Sequence, residues 1–183
     1  MKTTLLSIAL GLLASMAQAQ VTKSTVEGIG SFAQVETTVA CSGAIKPTSV
    51  AGIKKMGFAS IINLRVASEA GSDMEAEAAA AKDAGIHYFH LPFAGGAPDP
   101  AVADRFLETI QTAGNQPAFI HCASGNRAAA MWLIKRVLID KWELDKATEE
   151  AAQLGLTSAP LKKFALDFVE AHKPTVWISS GLS

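Results

Sequence analysis

Apolar and polar positions along this chain fall into short blocks that predict strands and helices in turn. Apolar runs bounded by Gly, Pro or charged residues predict strands at residues 32–40, 58–64, 86–91 and 118–121. Longer segments with apolar positions at helical spacing predict helices at residues 48–56, 73–84, 101–113, 126–139, 144–154 and 160–172. Strands that alternate with helices predict an α/β fold, with a central, mostly parallel sheet of four to five strands flanked by helices.

The N-terminal segment has the pattern of an export signal. Residues 1–19 combine Lys2, a short apolar run and the small residues Ala17 and Ala19, which predicts a signal peptide cleaved near Ala19 and Gln20. The apolar run is shorter than the about 20 residues that span a bilayer. We therefore expect a periplasmic or secreted protein without membrane contact after cleavage, and an uncleaved anchor is the alternative.

The rest of the chain is predicted to form one domain. Residues 20–31 are polar and contain Gly, so we expect a flexible arm, followed by a single domain over residues 32–172 and a tail over residues 173–183. The formal net charge is −1, and no basic run or basic–aromatic stripe is present. Nucleic acid is therefore not an expected partner. The oligomeric state has no signal in the sequence.

The chain contains two cysteines, Cys41 and Cys122. In an oxidising compartment they could form one structural disulfide. In the other interpretation, Cys122 is a nucleophile and Cys41 is a bystander or a resolving thiol. The residues around Cys122 favour the second interpretation.

Cys122 lies between a predicted strand and a predicted helix. The loop that follows it contains Ala123, Ser124, Gly125 and Asn126 and leads to Arg127. A strand–loop–helix of this kind directs backbone N–H groups and the positive end of a helix dipole at one point, where an anion binds. The same field favours the thiolate of a cysteine, which is the nucleophilic form, and Arg127 could hold an oxyanion with two hydrogen bonds. We therefore expect chemistry on oxyanion esters or on sulfur.

The length of this loop leaves both chemistries open. Cysteine phosphatases usually have the pattern His-Cys-x-x-Gly-x-x-Arg, which is one residue longer than the segment from His121 to Arg127. Rhodanese-type sulfurtransferases commonly use the shorter loop. The His-Cys dipeptide is therefore typical of phosphatases, whereas the spacing from Cys to Arg is typical of rhodaneses.

Several segments recur in the order and spacing of a known family. They are Ile-Ile-Asn-Leu-Arg at 61–65, Ala-Gly-Ile at 84–86, Leu-Pro-Phe at 91–93 and His-Cys-Ala-Ser-Gly-Asn-Arg at 121–127. Together they resemble the phosphatase-like domain of the beta-lactamase-hydrolase-like protein family, within the dual-specificity branch of cysteine phosphatases. The resemblance covers about residues 35–157. It implies a cysteine-phosphatase-like fold.

The resemblance also implies roles for individual residues. Cys122 would be the nucleophile, Arg127 the oxyanion clamp, and the backbone N–H groups of residues 123–127 the anion cradle. His121 would orient the loop and favour the thiolate. Relatives often have Arg after the Cys and Ser after the Arg, where this chain has Ala123 and Ala128. The missing hydroxyl removes a group that stabilises the leaving thiolate in the second step of phosphatases.

Two charged residues near the predicted strand ends are further candidates. Asp99 is the carboxylate in the loop before the helix at 101–113 and is the candidate general acid, with an N-cap or turn role as the alternative. Arg65 follows a predicted strand and could pair with Glu69 or help to bind an anion. No His, Cys or acidic pair has metal-ligand spacing, so neither a metal nor another cofactor is predicted.

These observations support three functional hypotheses. The first is an exported cysteine-dependent phosphatase-like hydrolase that acts on a small anionic substrate or a phosphorylated protein through a cysteinyl-phosphate. The second is sulfur transfer through a persulfide on Cys122. The third is a non-catalytic module that binds anions or proteins.

Overall fold

A computed structural model describes residues 20–173. The predicted signal peptide and all but the first residue of the predicted tail lie outside the described residues. Six strands are present: β1 (Val21–Val26), β2 (Ile29–Val35), β3 (Val39–Ser42), β4 (Ser60–Asn63), β5 (His87–His90) and β6 (Ala118–His121). The α-helices are α1 (Val50–Lys55), α2 (Met74–Ala84), α3 (Pro100–Gln111), α4 (Asn126–Leu138), α5 (Leu144–Gln153) and α6 (Ala159–His172). None of these described helices combines the length and apolar composition of a membrane span.

The six strands form one mixed sheet in the order β1-β2-β3-β6-β4-β5. The β3, β6, β4 and β5 strands pair in parallel, and β1, β2 and β3 pair antiparallel. The predicted α/β architecture with a mostly parallel sheet is confirmed, although the sheet has six strands instead of four to five. The carboxyl ends of β4 and β6 lie side by side because Asn63 is paired with His121.

The two additional strands come from the N-terminal part of the described chain. The prediction of a flexible arm at 20–31 is wrong, because these residues form β1 and the start of β2. β1 is an exposed edge strand, so it shows little of the apolar alternation that identifies a half-buried strand. The strand predicted at 32–40 is divided by a tight turn, in which Glu36 has a positive φ of 44°.

The predicted helices are all present, with small changes at their ends. Asp73 caps α2 by accepting a hydrogen bond from the Ala76 amide, and Gly85 ends it in a left-handed conformation with φ of 64°. Gly has no Cβ that would clash in this conformation, which explains the sharp end. A short 3-10 turn, Pro47–Ser49, precedes α1.

Helices cover both faces of the sheet. On one face, α4 is buried over almost its whole length and packs with α3, α5 and α6; on the other face, α1 and α2 cover the sheet. The side chains of Cys41 and Cys122 both belong to the core on the α4 face, and both thiols are free. The disulfide alternative is therefore not what the structure shows.

Candidate active site

Cys122 lies directly after β6, at the start of a tight loop that leads into α4. Its amide donates a hydrogen bond to the Ser42 carbonyl at 3.1 Å, which holds the loop against β3. The chain then turns back, so that the Gly125 amide donates to Cys122 Sγ at 3.1 Å. Gly125 has a positive φ of 93° and is the N-cap residue of the 13-residue helix α4. The sulfur therefore lies where amides and a helix dipole stabilise an anion.

Arg127, in the first turn of α4, is buried and held by three separate segments. Its guanidinium donates to Leu64 O at 2.9 Å, Phe93 O at 2.7 Å and the Glu69 carboxylate at 2.6 and 2.8 Å. Burial alone would lower the pKa of Arg127, but the hydrogen bond to Glu69 and the electrostatic interaction with Cys122 raise it. Within the described residues, Nε and one hydrogen of Nη2 have no oxygen acceptor, so they remain for the sulfur or for a bound anion.

Glu69 is the residue that fixes the orientation of Arg127. Partial burial would raise the pKa of Glu69, but hydrogen bonds from Arg127 and from the Val66 amide, together with the Arg127 charge, lower it to about 2. The bidentate geometry presents the guanidinium plane in one orientation, which a single-point contact would not do. The sequence identifies Glu69 only as a possible partner of Arg65, because nothing local indicates a contact across 58 residues.

Arg65 shapes the segment that carries Glu69. Its Nε lies 3.3 Å from Glu69 Oε2, and its two terminal nitrogens donate to the carbonyls of Gly71 (3.0 Å) and Ala70 (2.6 Å). With 2% exposure, the side chain is enclosed by the loop that it organises. The structure therefore shows the salt bridge to Glu69, and Arg65 supports the site through Glu69.

His121 faces the opposite side of the sheet from Cys122 and is part of a buried polar cluster. Its Nε2 lies 3.2 Å from Glu77 Oε2, an ion-pair distance, but the ring is not aligned for a hydrogen bond. The same carboxylate oxygen accepts from Asn63 Nδ2 at 2.8 Å and from the Tyr88 hydroxyl at 2.9 Å. Burial and the nearby Glu77 raise the pKa of Tyr88. The cluster ties the ends of three parallel strands to α2.

Glu77 is a residue that the sequence analysis did not identify. It occupies a fully buried position on α2, in a run of Ala residues. An acidic residue one turn before Ala81, on the buried face of the helix, is the signal that could have identified it, since buried carboxylates require partners.

A cavity of about 450 Å³ opens above the cradle. Glu69 is the one carboxylate among the described residues that line it, and it is paired with Arg127. Asp99 does not line this cavity; its Oδ1 accepts a hydrogen bond from the Ala101 amide at 2.9 Å and caps α3. The structure thus shows Asp99 in the N-cap role and outside the lining of this cavity.

The backbone around Gly30 and Gly43, outside residues 121–127, supports the cradle loop. The Ala44 amide donates to Ala123 O at 3.2 Å, and the Gly43 amide donates to Gly30 O at 2.6 Å. A Cβ at Gly43 would lie 3.0 Å from Ala123 O and 3.1 Å from Gly30 O, which is tighter than most real Cβ contacts, so the backbone would have to shift by a few tenths of an ångström. The space between the hairpin, the end of β3 and the cradle loop therefore fits a glycine closely.

Cys41 and two histidines of β5 have structural contacts. Cys41 is fully buried, and burial followed by the nearby Cys122 charge raises its thiol pKa. The ring of His87 contacts the Asn115 side chain at 2.8 Å, and that of His90 contacts the Arg65 carbonyl at 2.8 Å. Among residues 20–173, no group of three or more His, Cys, Asp or Glu side chains is placed to hold a metal ion.

Comparison with known proteins is consistent with this geometry. Residues 31–139, more than half of the chain, match the family model of the beta-lactamase hydrolase-like protein, phosphatase-like domain. The chain belongs to this family. A beta-lactamase hydrolase-like protein of Xylella fastidiosa is 30% identical over 110 residues, which cover 59% of this chain and 25% of that protein. The match thus spans about a quarter of the curated relative.

Solved structures show the same fold. A DUF442 protein from Shewanella putrefaciens superposes with a TM-score of 0.66 at 19% identity, covering 79% of this chain and 94% of the other. P. aeruginosa TpbA superposes with a TM-score of 0.62 at 20% identity, covering 85% and 91% of the two chains. The resemblance that the sequence indicates is confirmed, and the domain is phosphatase-like with a cysteine-phosphatase fold.

Proposed function

We propose that this domain is an exported, cysteine-dependent hydrolase of phosphoesters. The observation that carries the proposal is the arrangement of Cys122 at the N-terminus of α4, with Arg127 fixed beside it by Glu69. The thiolate attacks phosphorus, the S–P bond forms, and the O–P bond breaks with its electrons on the leaving oxygen. Water then attacks phosphorus, the S–P bond breaks, and phosphate and the thiolate are released.

The amides of the cradle and Arg127 supply the electrostatic part of this reaction. The Gly125 amide already contacts Cys122 Sγ and Glu69 already fixes Arg127, so little reorganisation is required as charge develops. The fold neighbours support an anionic substrate, since a TpbA variant was solved with phosphotyrosine and the PP-IP phosphatase SIW14 of S. cerevisiae was solved with citrate. We propose a small anionic compound or a phosphorylated protein as the substrate.

Sulfur transfer is a second candidate, and three observations favour it. Only four residues separate Cys122 from Arg127, the mouth of the site contains no unpaired carboxylate among the described residues, and the position after Arg127 is the buried Ala128. In this reaction, Cys122 attacks the sulfane sulfur of thiosulfate and sulfite leaves as the S–S bond of thiosulfate breaks. A thiol or cyanide then removes the outer sulfur from the persulfide.

A paired assay separates these candidates. The reduced mature chain is tested for aryl phosphate hydrolysis and for thiosulfate-to-cyanide transfer, beside Cys122→Ser and the matched variant Cys41→Ser. Phosphate release that requires Cys122 but not Cys41 supports the hydrolase, and thiocyanate formation alone with the same requirement supports sulfur transfer. A Cys122→Ser variant with full phosphatase activity would falsify the nucleophile assignment. Stabilisation by phosphate without either activity would select the anion-binding module.

Export is a separate part of the proposal. It is supported by the signal-peptide pattern of residues 1–19. N-terminal sequencing of protein from a periplasmic or culture-fluid fraction is expected to start at or near Gln20. Recovery of the chain with Met1 in the cytoplasmic fraction would contradict it.

A further inference from the structure

A second cavity adjoins the active site and shares two residues with it. This groove has a volume of about 600 Å³, and Ser124 and Asn126 line both the groove and the mouth above Cys122. One wall is the β1–β2 hairpin, with Lys23 and Ser31, and the other is the turn between α5 and α6, with Thr157. The groove therefore continues from the cradle along the N-terminal hairpin.

The boundary between the two cavities is structurally fixed. Asn126 Oδ1 accepts hydrogen bonds from the amides of Thr157 at 2.8 Å and Ser158 at 2.7 Å. Its oxygen is thereby saturated, and its Nδ2 group lies 3.4 Å from Ser124 Oγ. These contacts hold an amide donor and a hydroxyl at the edge of the cradle, where a substrate passing from one cavity to the other would contact both.

The hairpin wall contains an unusual backbone conformation. Ser31 has a positive φ of 45°, and the β1–β2 register shifts between Ser24 and Val26. A non-glycine residue in this region is strained, and such strain persists only where the surroundings impose it. Here the neighbouring Gly30 is pinned by a 2.8 Å hydrogen bond from its amide to Ala44 O. Ser24 and Ser31, at these irregular positions, both line the groove.

The charge of the groove indicates its ligand. Lys23 is the one charged side chain among the described residues that line it, and several of the others carry hydroxyls. We propose that the groove binds a second anionic group of the substrate, with Lys23 as a specificity-determining residue and the phosphate to be cleaved in the cradle. This inference rests on the proposed function and narrows the substrate to a molecule with two anionic groups.

The test uses binding to Cys122→Ser, so that it does not depend on turnover. Probes are short phosphotyrosine peptides that carry either one phosphate or a second one on a serine, placed one to four residues away on either side. At least one doubly phosphorylated peptide is expected to bind about tenfold more tightly than the single one, the size of a charge-assisted hydrogen bond. Lys23→Ala is expected to reduce this gain to about twofold without weakening the single peptide, whereas Lys55→Ala on α1 leaves it intact.

The outcomes distinguish the groove from the cradle. Binding of the single peptide without any gain from a second phosphate overturns the groove proposal and leaves the cradle standing. A gain that survives Lys23→Ala overturns it as well. Failure of every peptide to bind overturns the groove proposal, whereas the phosphoester function is decided separately by the aryl phosphate assay.

Discussion

The Glu69–Arg127 ion pair is expected to make a measurable, pH-dependent contribution to stability. The perturbation is Glu69→Gln, which keeps the shape of the side chain and removes the charge that faces a buried guanidinium. In the folded protein the pKa of Glu69 falls from its ordinary 4.5 to about 2. At about 1.4 kcal/mol per pH unit, this difference corresponds to about 3 kcal/mol.

The sign and the pH window follow from the lowered pKa. Glu69 is charged in both the folded and the unfolded chain above its ordinary pKa, so the contribution is fully present there. It is lost as the pH falls from about 4.5 through about 2, because the unfolded chain takes up the proton first. The side chain of Glu69 is 22% exposed, so water screens part of the interaction and about 3 kcal/mol is an upper value.

Denaturant unfolding at a series of pH values measures this contribution. Near neutral pH, Glu69→Gln is expected to lower the free energy of unfolding by about 2 to 3 kcal/mol, and the difference from wild type should shrink steadily below about pH 4. The exposed Glu149→Gln on α5 is the matched control and should change stability by less than about 0.5 kcal/mol. A difference between Glu69→Gln and wild type that is absent near neutral pH, or that stays constant down to about pH 2, would show that the Glu69 charge does not stabilise the fold.

Further predictions concern the support and the chemistry of the site. Gly43→Ala places a Cβ 3.0 Å from Ala123 O, so the Cys122-dependent catalytic rate should fall at least about tenfold. Gly52→Ala, which has open space around it, is the control and should keep the wild-type rate. Equal rates for the two variants would contradict the role of Gly43 in supporting the cradle loop. Asp99→Asn retains an N-cap side chain and should change kcat less than about twofold; a loss of about a hundredfold with a shifted pH profile would instead show that Asp99 is the acid. If no general acid protonates the leaving oxygen, the rate of aryl phosphate hydrolysis should rise steeply as the pKa of the leaving phenol falls. A rate that does not depend on this pKa would show that a general acid is present.

Much of the fold follows from local signals in the sequence. Asp73 and Gly85 bound α2 because a side-chain cap and a left-handed glycine act within a few residues. The apolar run of β6 and the Cys122–Arg127 spacing mark the candidate nucleophile loop for the same reason, because these signals are also local. β1 could not be found in this way, because an exposed edge strand is stabilised by pairing with β2 and not by its own periodicity.

Local patterns in the sequence therefore predict the order of most elements and the position of the Cys122–Arg127 loop. The folded structure was needed to show that Glu69 orients Arg127, that Gly43 packs against the cradle, and that Asp99 caps α3 outside the cavity lining. The difference lies in the separation along the chain of the residues that interact. Periodicity and capping depend on neighbours along the chain, whereas these contacts join strand ends and loops that only the assembled sheet brings together.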